Sequence, residues 1–98
     1  MKVRFLLMMF LFMFAAGFSL QAQDNRTLTV FAAASLTDAF TEIAEDFQAE
    51  NPDVEILFNF GGSSALATQL SEGAPSDVFA SANQRQMQVA IDAERIIE

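Results

Sequence analysis

The sequence lacks cysteine, histidine, tryptophan and tyrosine, and five of its 98 residues are lysine or arginine. Without histidine or cysteine, the general base of a Ser-His-Asp or Cys-His catalytic centre is missing, and so are the usual ligands of a zinc site. Thirteen acidic residues give a formal net charge of −8, which argues against nucleic-acid binding because that function needs a basic surface. We therefore expect no enzyme and no nucleic-acid partner, and the length allows one small domain.

The amino-terminal segment has the pattern of a secretory signal peptide. Two basic residues precede an uncharged apolar run at 5–18, and a small residue, Ala22, stands at a plausible cleavage point. Because a helix that crosses a bilayer needs about 20 apolar residues, we expect a cleavable signal at 1–22 and not a membrane anchor. The mature segment, 23–98, has three arginines against thirteen acids, a formal charge of −10. We expect it in a bacterial periplasm.

Strand-like and helix-like patterns alternate in the mature segment. Short apolar runs at 28–34, 54–60 and 77–81 predict three strands, the second with alternate apolar residues on one face. A helical stripe follows the first strand, with apolar residues spaced three and four apart: Leu36, Ala39, Phe40, Ile43, Ala44 and Phe47. A second predicted helix begins at Ser63 and ends before Gly73–Pro75.

A third helix is predicted to begin at Asn83, whose side chain can cap it. Its inner face would carry Met87, Ala90 and Ile91, with Ile97 two turns beyond Ala90. The last residues, 93–98, still have helical composition and show no stop signal. A three-stranded sheet is small for such a fold, so we expect an amino-terminal piece of a longer protein.

The order β-α-β-α-β-α is typical of a parallel sheet covered by helices, an α/β fold. Two strand-to-helix turns of this fold carry serine: Ser35 follows the first strand and Ser63 the second. Ligands bind at the carboxyl ends of parallel strands, and helix N-termini attract anions through free backbone N–H groups. Gly61 and Gly62 would let the backbone approach a ligand closely. The sequence therefore predicts an anion site made of neutral donors.

Simpler roles compete with this interpretation. Each serine could be a plain helix N-cap, and Ser35 with Asp38 resembles a capping box that has aspartate in place of glutamate. The glycine pair matches neither a dinucleotide-binding fingerprint nor a P-loop. We expect Asp77 to be a strand-edge or turn residue. The acidic residues of the first helix are expected to form a solvated face.

Three segments together resemble the periplasmic molybdate-binding proteins of ABC importers. These segments are 30–40 (VFAAASLTDAF), 58–70 (FNFGGSSALATQL) and 73–83 (GAPSDVFASAN), in the expected order and spacing. The resemblance implies a two-lobed solute-binding protein of type II. Within that fold, 23–98 would be the first part of a three-layer parallel-sheet lobe, lobe I, and the second lobe would be absent from this chain.

The resemblance also implies a ligand and its contacts. The ligand would be molybdate or tungstate, captured without chemistry for delivery to a membrane permease of an ABC importer. Ser35 and Ser63 would donate hydrogen bonds to the oxyanion, and Leu36 and Ser64 could add backbone N–H groups. The metal would be contacted through its oxygens, not coordinated directly by these serines, and no cofactor is expected. The protein is expected to act as a monomer.

Other functions remain open for the same residues. A binding protein for sulfate, phosphate or a small organic acid could use the same fold. An enzyme with Ser35 or Ser63 as nucleophile would need a base from another part of the protein. A sensory or interaction domain could keep the fold without the ligand.

Overall fold

The computed structural model describes residues 25–97, and the predicted signal peptide at 1–22 lies outside the described residues. The elements follow one another as β1 (Arg26–Ala33), α1 (Thr37–Glu50), β2 (Val54–Gly61), α2 (Ser63–Ser71), β3 (Val78–Ala80) and α3 (Gln84–Asp92), with a 3-10 helix at Ala34–Leu36 before α1. The predicted β-α-β-α-β-α order and α/β class are confirmed. Among residues 25–97, no helix is long and apolar enough to cross a membrane.

The three strands form one parallel sheet in the order β2-β1-β3. The register pairs Ala33 of β1 with Gly61 of β2. On the other side of β1, Ala32 pairs with Ala80 of β3. The central strand is buried over its last four residues, 30–33, as expected for a strand covered on both faces. All three strands therefore end at the same edge of the sheet.

The face of the sheet that contacts α2 and α3, hereafter the closed face, contains the core. Phe31 of β1 packs there with Leu66 and Leu70 of α2 and Ala90 of α3. Leu66 and Ala90 are 1% and 0% exposed, so the apolar side of each helix is sealed against the sheet. The outer edge of this cluster is filled by half-buried apolar residues: Ala74, Phe79 and Ile96.

Among the residues that the structure describes, the opposite face, hereafter the open face, is covered by α1 alone. The predicted stripe of α1 faces the sheet, and Ala44 is buried at its centre, but Ile43 and Phe47 are 61% and 42% exposed. An apolar groove of about 180 Å³ runs between α1 and the strands. Its lining comes from the helix and from all three strands: Leu28, Val30, Phe40, Ile43, Ala44, Phe47, Ile56, Phe58 and Val78. Because successive residues of a strand point to opposite faces, Val30 lies on this face and Phe31 on the other.

The end of α3 differs from the prediction. The helix stops at Asp92, although residues 93–98 were expected to continue in helical form. Glu94 adopts a left-handed conformation with φ 60°. The Glu94 N–H donates to the Ile91 carbonyl and the Arg95 N–H to the Ala90 carbonyl, which is the hydrogen-bond pattern of a Schellman motif. This turn places Ile96 against the core, so the prediction that Ile97 lies on the inner face is wrong, and Ile97 is 98% exposed.

Two acidic residues hold the amino ends of the strands. The Asp77 carboxylate accepts the Thr29 N–H at 2.8 Å, and the Asp77 N–H donates to the Thr29 carbonyl at 2.8 Å. Asp77 thus prolongs the pairing of β1 with β3, which confirms its predicted strand-edge role. At the start of β2, Asp53 forms an ion pair with Arg26 at 2.9 Å. The hydrogen bond from Arg26 lowers the pKa of the Asp53 carboxyl below its ordinary value of 3.8.

Candidate functional site

Three strand-to-helix turns meet at the carboxyl edge of the sheet. The register that pairs Ala33 with Gly61 puts the turn after β1 beside the turn after β2. The turn after β3 joins them, because Ala80 pairs with Ala32. A pocket of about 380 Å³ lies between the three turns, lined by Ala33, Ala34, Ser35, Gly61, Gly62, Ser63, Ser64, Ala82, Asn83 and Gln86.

Both predicted serines line this pocket, and so does Ser64. Leu36 is not among the lining residues, and its backbone contact with a ligand stays a prediction. None of the ten lining side chains is ionisable. The helices α2 and α3 both begin at the pocket, and a helix start presents free N–H groups and a partial positive charge. The electrostatic character of the pocket therefore comes from neutral donors.

Ser63 is the buried serine of the site, with 8% of its surface exposed. It is the first residue of α2, and the N-cap position before it is Gly62, with no side-chain cap. The Ser63 hydroxyl instead accepts the backbone N–H of Ala82 at 2.9 Å. The N-cap interpretation of Ser63 is therefore wrong, because its hydroxyl bonds across to the third turn and not to its own helix.

Ser35 differs in its surroundings. It is exposed and lies in the 3-10 helix Ala34–Leu36. Leu36 holds the N-cap position of α1, and no side chain caps either helix start, so the expected capping box with Asp38 does not form. The Thr37 hydroxyl donates to the Ala34 carbonyl at 2.8 Å and helps to close this turn. The Ser35 hydroxyl is left at the pocket without a capping role.

The glycine pair fits the close approach of a ligand. A Cβ atom at Gly62 would meet no atom within 4 Å, so internal packing does not explain the lack of a side chain there. A Cβ atom at Gly61 would lie 3.5 Å from the Leu66 side chain, an ordinary contact. Because Gly62 lines the pocket, its bare backbone is accessible to a small molecule.

The third turn also lines the pocket, which was not predicted from the sequence. Asn83 was predicted to cap α3, and its side chain does accept the Gln86 N–H at 2.9 Å. The first two turns were predicted to bind a ligand because each follows a strand and precedes a helix. Residues 81–83 also lie between a strand and a helix, so the same rule would have included them. Within residues 25–97, no group of three acidic side chains could hold a metal ion directly.

Comparison with known proteins identifies the fold family. A family model described as bacterial extracellular solute-binding protein matches residues 28–98, which is most of the chain. The chain belongs to this family. A solved structure from Clostridium difficile, described as a substrate binding domain assigned to a molybdenum ABC transporter, superposes with a TM-score of 0.65. It shares 39% sequence identity and is matched over 72% of this chain and 31% of its own.

Several solute-binding relatives are molybdate-binding proteins. The molybdate-binding protein ModA of Mycobacterium tuberculosis is 60% identical over 66% of this chain and 25% of its own length. ModA of Escherichia coli is 47% identical over 74% of this chain and 28% of its own length. The phosphate-binding protein PstS of Bacillus subtilis is 32% identical over 80% of this chain and 26% of its own length. The chain thus spans about a quarter of the length of these relatives.

Proposed function

We propose that this chain forms part of a solute-binding protein that captures molybdate or tungstate. The observation that carries the proposal is the pocket between the turns of Ser35 and Ser63, a neutral site at two adjoining strand ends. A tetrahedral oxyanion offers four acceptor oxygens, which match hydroxyl and backbone N–H donors. The identity of 60% with a molybdate-binding protein supports molybdate as the ligand.

The proposed mechanism is capture without chemistry. The lining residues within 25–97 contain no general base. In this proposal the serine hydroxyls act as hydrogen-bond donors, and a nucleophilic role would need a base from another part of the protein. The bound oxyanion would then be presented to the membrane permease of an ABC importer, with the protein acting as a monomer in the periplasm. Size-exclusion chromatography with and without molybdate tests the monomer, and fractionation of the native host tests the compartment.

The binding test uses the protein expressed from its intact reading frame. Isothermal titration with molybdate should show saturable binding at one site per chain. Ser63→Ala should weaken binding by roughly 10- to 150-fold, because a hydrogen bond to a charged group contributes about 1.5–3 kcal/mol. Ser71→Ala is the matched control, since Ser71 lies at the far end of α2 and its hydroxyl donates to the Ala67 carbonyl. Equal affinity of the two variants contradicts the assignment of Ser63.

Phosphate is the second candidate ligand, favoured by the relationship to a phosphate-binding protein at 32% identity. Phosphate and sulfate are also tetrahedral, so discrimination would depend on the size of the closed cavity. Competition titrations separate the candidates: an excess of phosphate or sulfate should leave molybdate bound. Displacement of molybdate at comparable concentrations would assign the site to a smaller oxyanion.

A further inference from the structure

The hydroxyl of Ser63 has a partner that its sequence neighbours do not suggest. The Ala82 N–H donates to the Ser63 Oγ at 2.9 Å, across 19 residues of sequence. Ser63 is buried, and the hydrogen bond joins the start of α2 to the turn before α3. The contact therefore links two walls of the pocket through the oxygen of a residue that also lines it.

The donor in this hydrogen bond is held by its own turn. The Ser81 hydroxyl donates to the Asn83 carbonyl at 2.7 Å and accepts the Asn83 N–H at 3.2 Å. The Asn83 side chain in turn accepts the Gln86 N–H at 2.9 Å. These hydrogen bonds fix the peptide on either side of Ala82, so its N–H points in a defined direction.

The hydrogen bond also determines which way the Ser63 proton can point. A serine hydroxyl has one proton to donate and two lone pairs that accept. The Ala82 N–H engages the oxygen as an acceptor, so the O–H bond rotates away from that donor. Because Ser63 lines the pocket, an anion bound there can accept that proton. Donation to the oxygen also polarises the O–H bond, since chained hydrogen bonds strengthen one another.

We propose that the Ala82 N–H is a positioning group that makes the Ser63 hydroxyl a hydrogen-bond donor to the bound oxyanion. This inference rests on the proposed function, because it needs an anion in the pocket. Ala82 itself acts through Ser63 and needs no contact of its own with the ligand. The role assigned to the third turn is to orient the hydroxyl of Ser63.

Removal of the N–H is the first test, made on the protein expressed from its intact reading frame. Ala82→Pro lacks the donor and should bind molybdate about tenfold more weakly, the effect of one net hydrogen bond. Ala82→Gly keeps the N–H and should bind several-fold more tightly than Ala82→Pro. Equal affinities of two folded variants overturn the proposal.

Proline at position 82 can disturb the turn, so a second measurement uses no proline variant. It follows the amide hydrogen exchange of Ala82. In protein labelled with ¹⁵N-alanine, Ser63→Ala should accelerate exchange at Ala82 by about tenfold or more, while Ser71→Ala leaves the rate unchanged. Molybdate should shift the Ala82 amide resonance in the parent protein, and this response should vanish in Ser63→Ala.

The outcomes separate this proposal from the proposed function. If molybdate binds but Ser63→Ala leaves exchange at Ala82 unchanged, the positioning role is wrong and the binding function stands. If molybdate fails to bind the parent protein at all, both proposals fall. Binding together with faster Ala82 exchange in Ser63→Ala supports both.

Discussion

The closed and open faces of the sheet differ in how completely their helices cover them. On the closed face, none of Leu66, Leu70 and Ala90 is more than 3% exposed. On the open face, the corresponding residues of α1 are exposed by as much as 61%, and a groove separates α1 from the strands. The difference extends to the site. Ser63 begins the well-packed α2, whereas Ser35 precedes the loosely packed α1, so we expect Ser63 to be the more rigid of the two donors.

Leu66→Ala should have the largest effect on stability. Leu66 is 1% exposed, and truncation of a buried leucine costs about 2–5 kcal/mol through lost transfer energy and the cavity that remains. Urea unfolding measures the loss, with Leu57→Ala as the matched control because Leu57 is 47% exposed. If both variants lost the same stability, the burial of Leu66 would be excluded as the cause of its contribution.

Asp77→Ala should have a smaller effect, on the pairing of β3 with β1. The variant loses the acceptor for the Thr29 N–H, and one net hydrogen bond contributes about 1 kcal/mol. Asp77→Asn keeps a side-chain oxygen and should recover part of the loss in the same unfolding measurement. No recovery in Asp77→Asn would mean that the charge of the carboxylate matters more than its position as an acceptor.

Ile43→Ala tests the open face directly. Ile43 is 61% exposed, so its truncation should cost less than about 1 kcal/mol. A loss close to that of Leu66→Ala would remove the distinction between the two faces, because it would show that Ile43 is covered in the folded protein. Urea titrations of the two variants give the loss of unfolding free energy for each, and the two losses can be compared directly.

The ion pair of Arg26 with Asp53 should have the smallest effect, because both side chains are largely in solvent. The pKa of Asp53 is lowered in the folded state, so the pair stabilises the fold above the ordinary carboxyl pKa. That contribution is lost as the pH falls through the folded pKa. Arg26→Gln should lower the thermal midpoint slightly at neutral pH, and the difference should shrink as the pH falls below the ordinary carboxyl pKa. An undiminished difference in acid would exclude the carboxylate as the cause.

The sequence allowed the element order and the placement of the two serine-bearing turns to be predicted for physical reasons. Periodicity distinguishes strands from helices, and parallel strands bring their carboxyl ends together, so Ser35 and Ser63 could be placed at one edge. The cap of α3 at Asn83 follows from the same local chemistry. These features depend on residues that are close in sequence or on a general rule of sheet topology.

Other features depend on contacts that no local pattern encodes. The Ala82–Ser63 hydrogen bond requires β3 to lie beside β1. The hydrophobic pattern predicts which segments form strands but not the order of the strands in the sheet. The end of α3 depends on Glu94 in a left-handed conformation, where glycine is the usual residue. Likewise, the apolar stripe of α1 indicates which side faces the sheet but not how fully that side is covered.

Within residues 25–97, no ionisable side chain lines the pocket, which has a consequence for the conditions under which the pocket works. Hydroxyl and backbone N–H donors do not change protonation across the range of pH in which the protein is folded. Charged binding surfaces lose affinity as salt screens them, whereas short, desolvated hydrogen bonds are little affected. The donors of such a site therefore stay the same when the acidity or the ionic strength of the surroundings changes. For the oxyanion proposed as the ligand, these donors would themselves add no dependence of the affinity on pH.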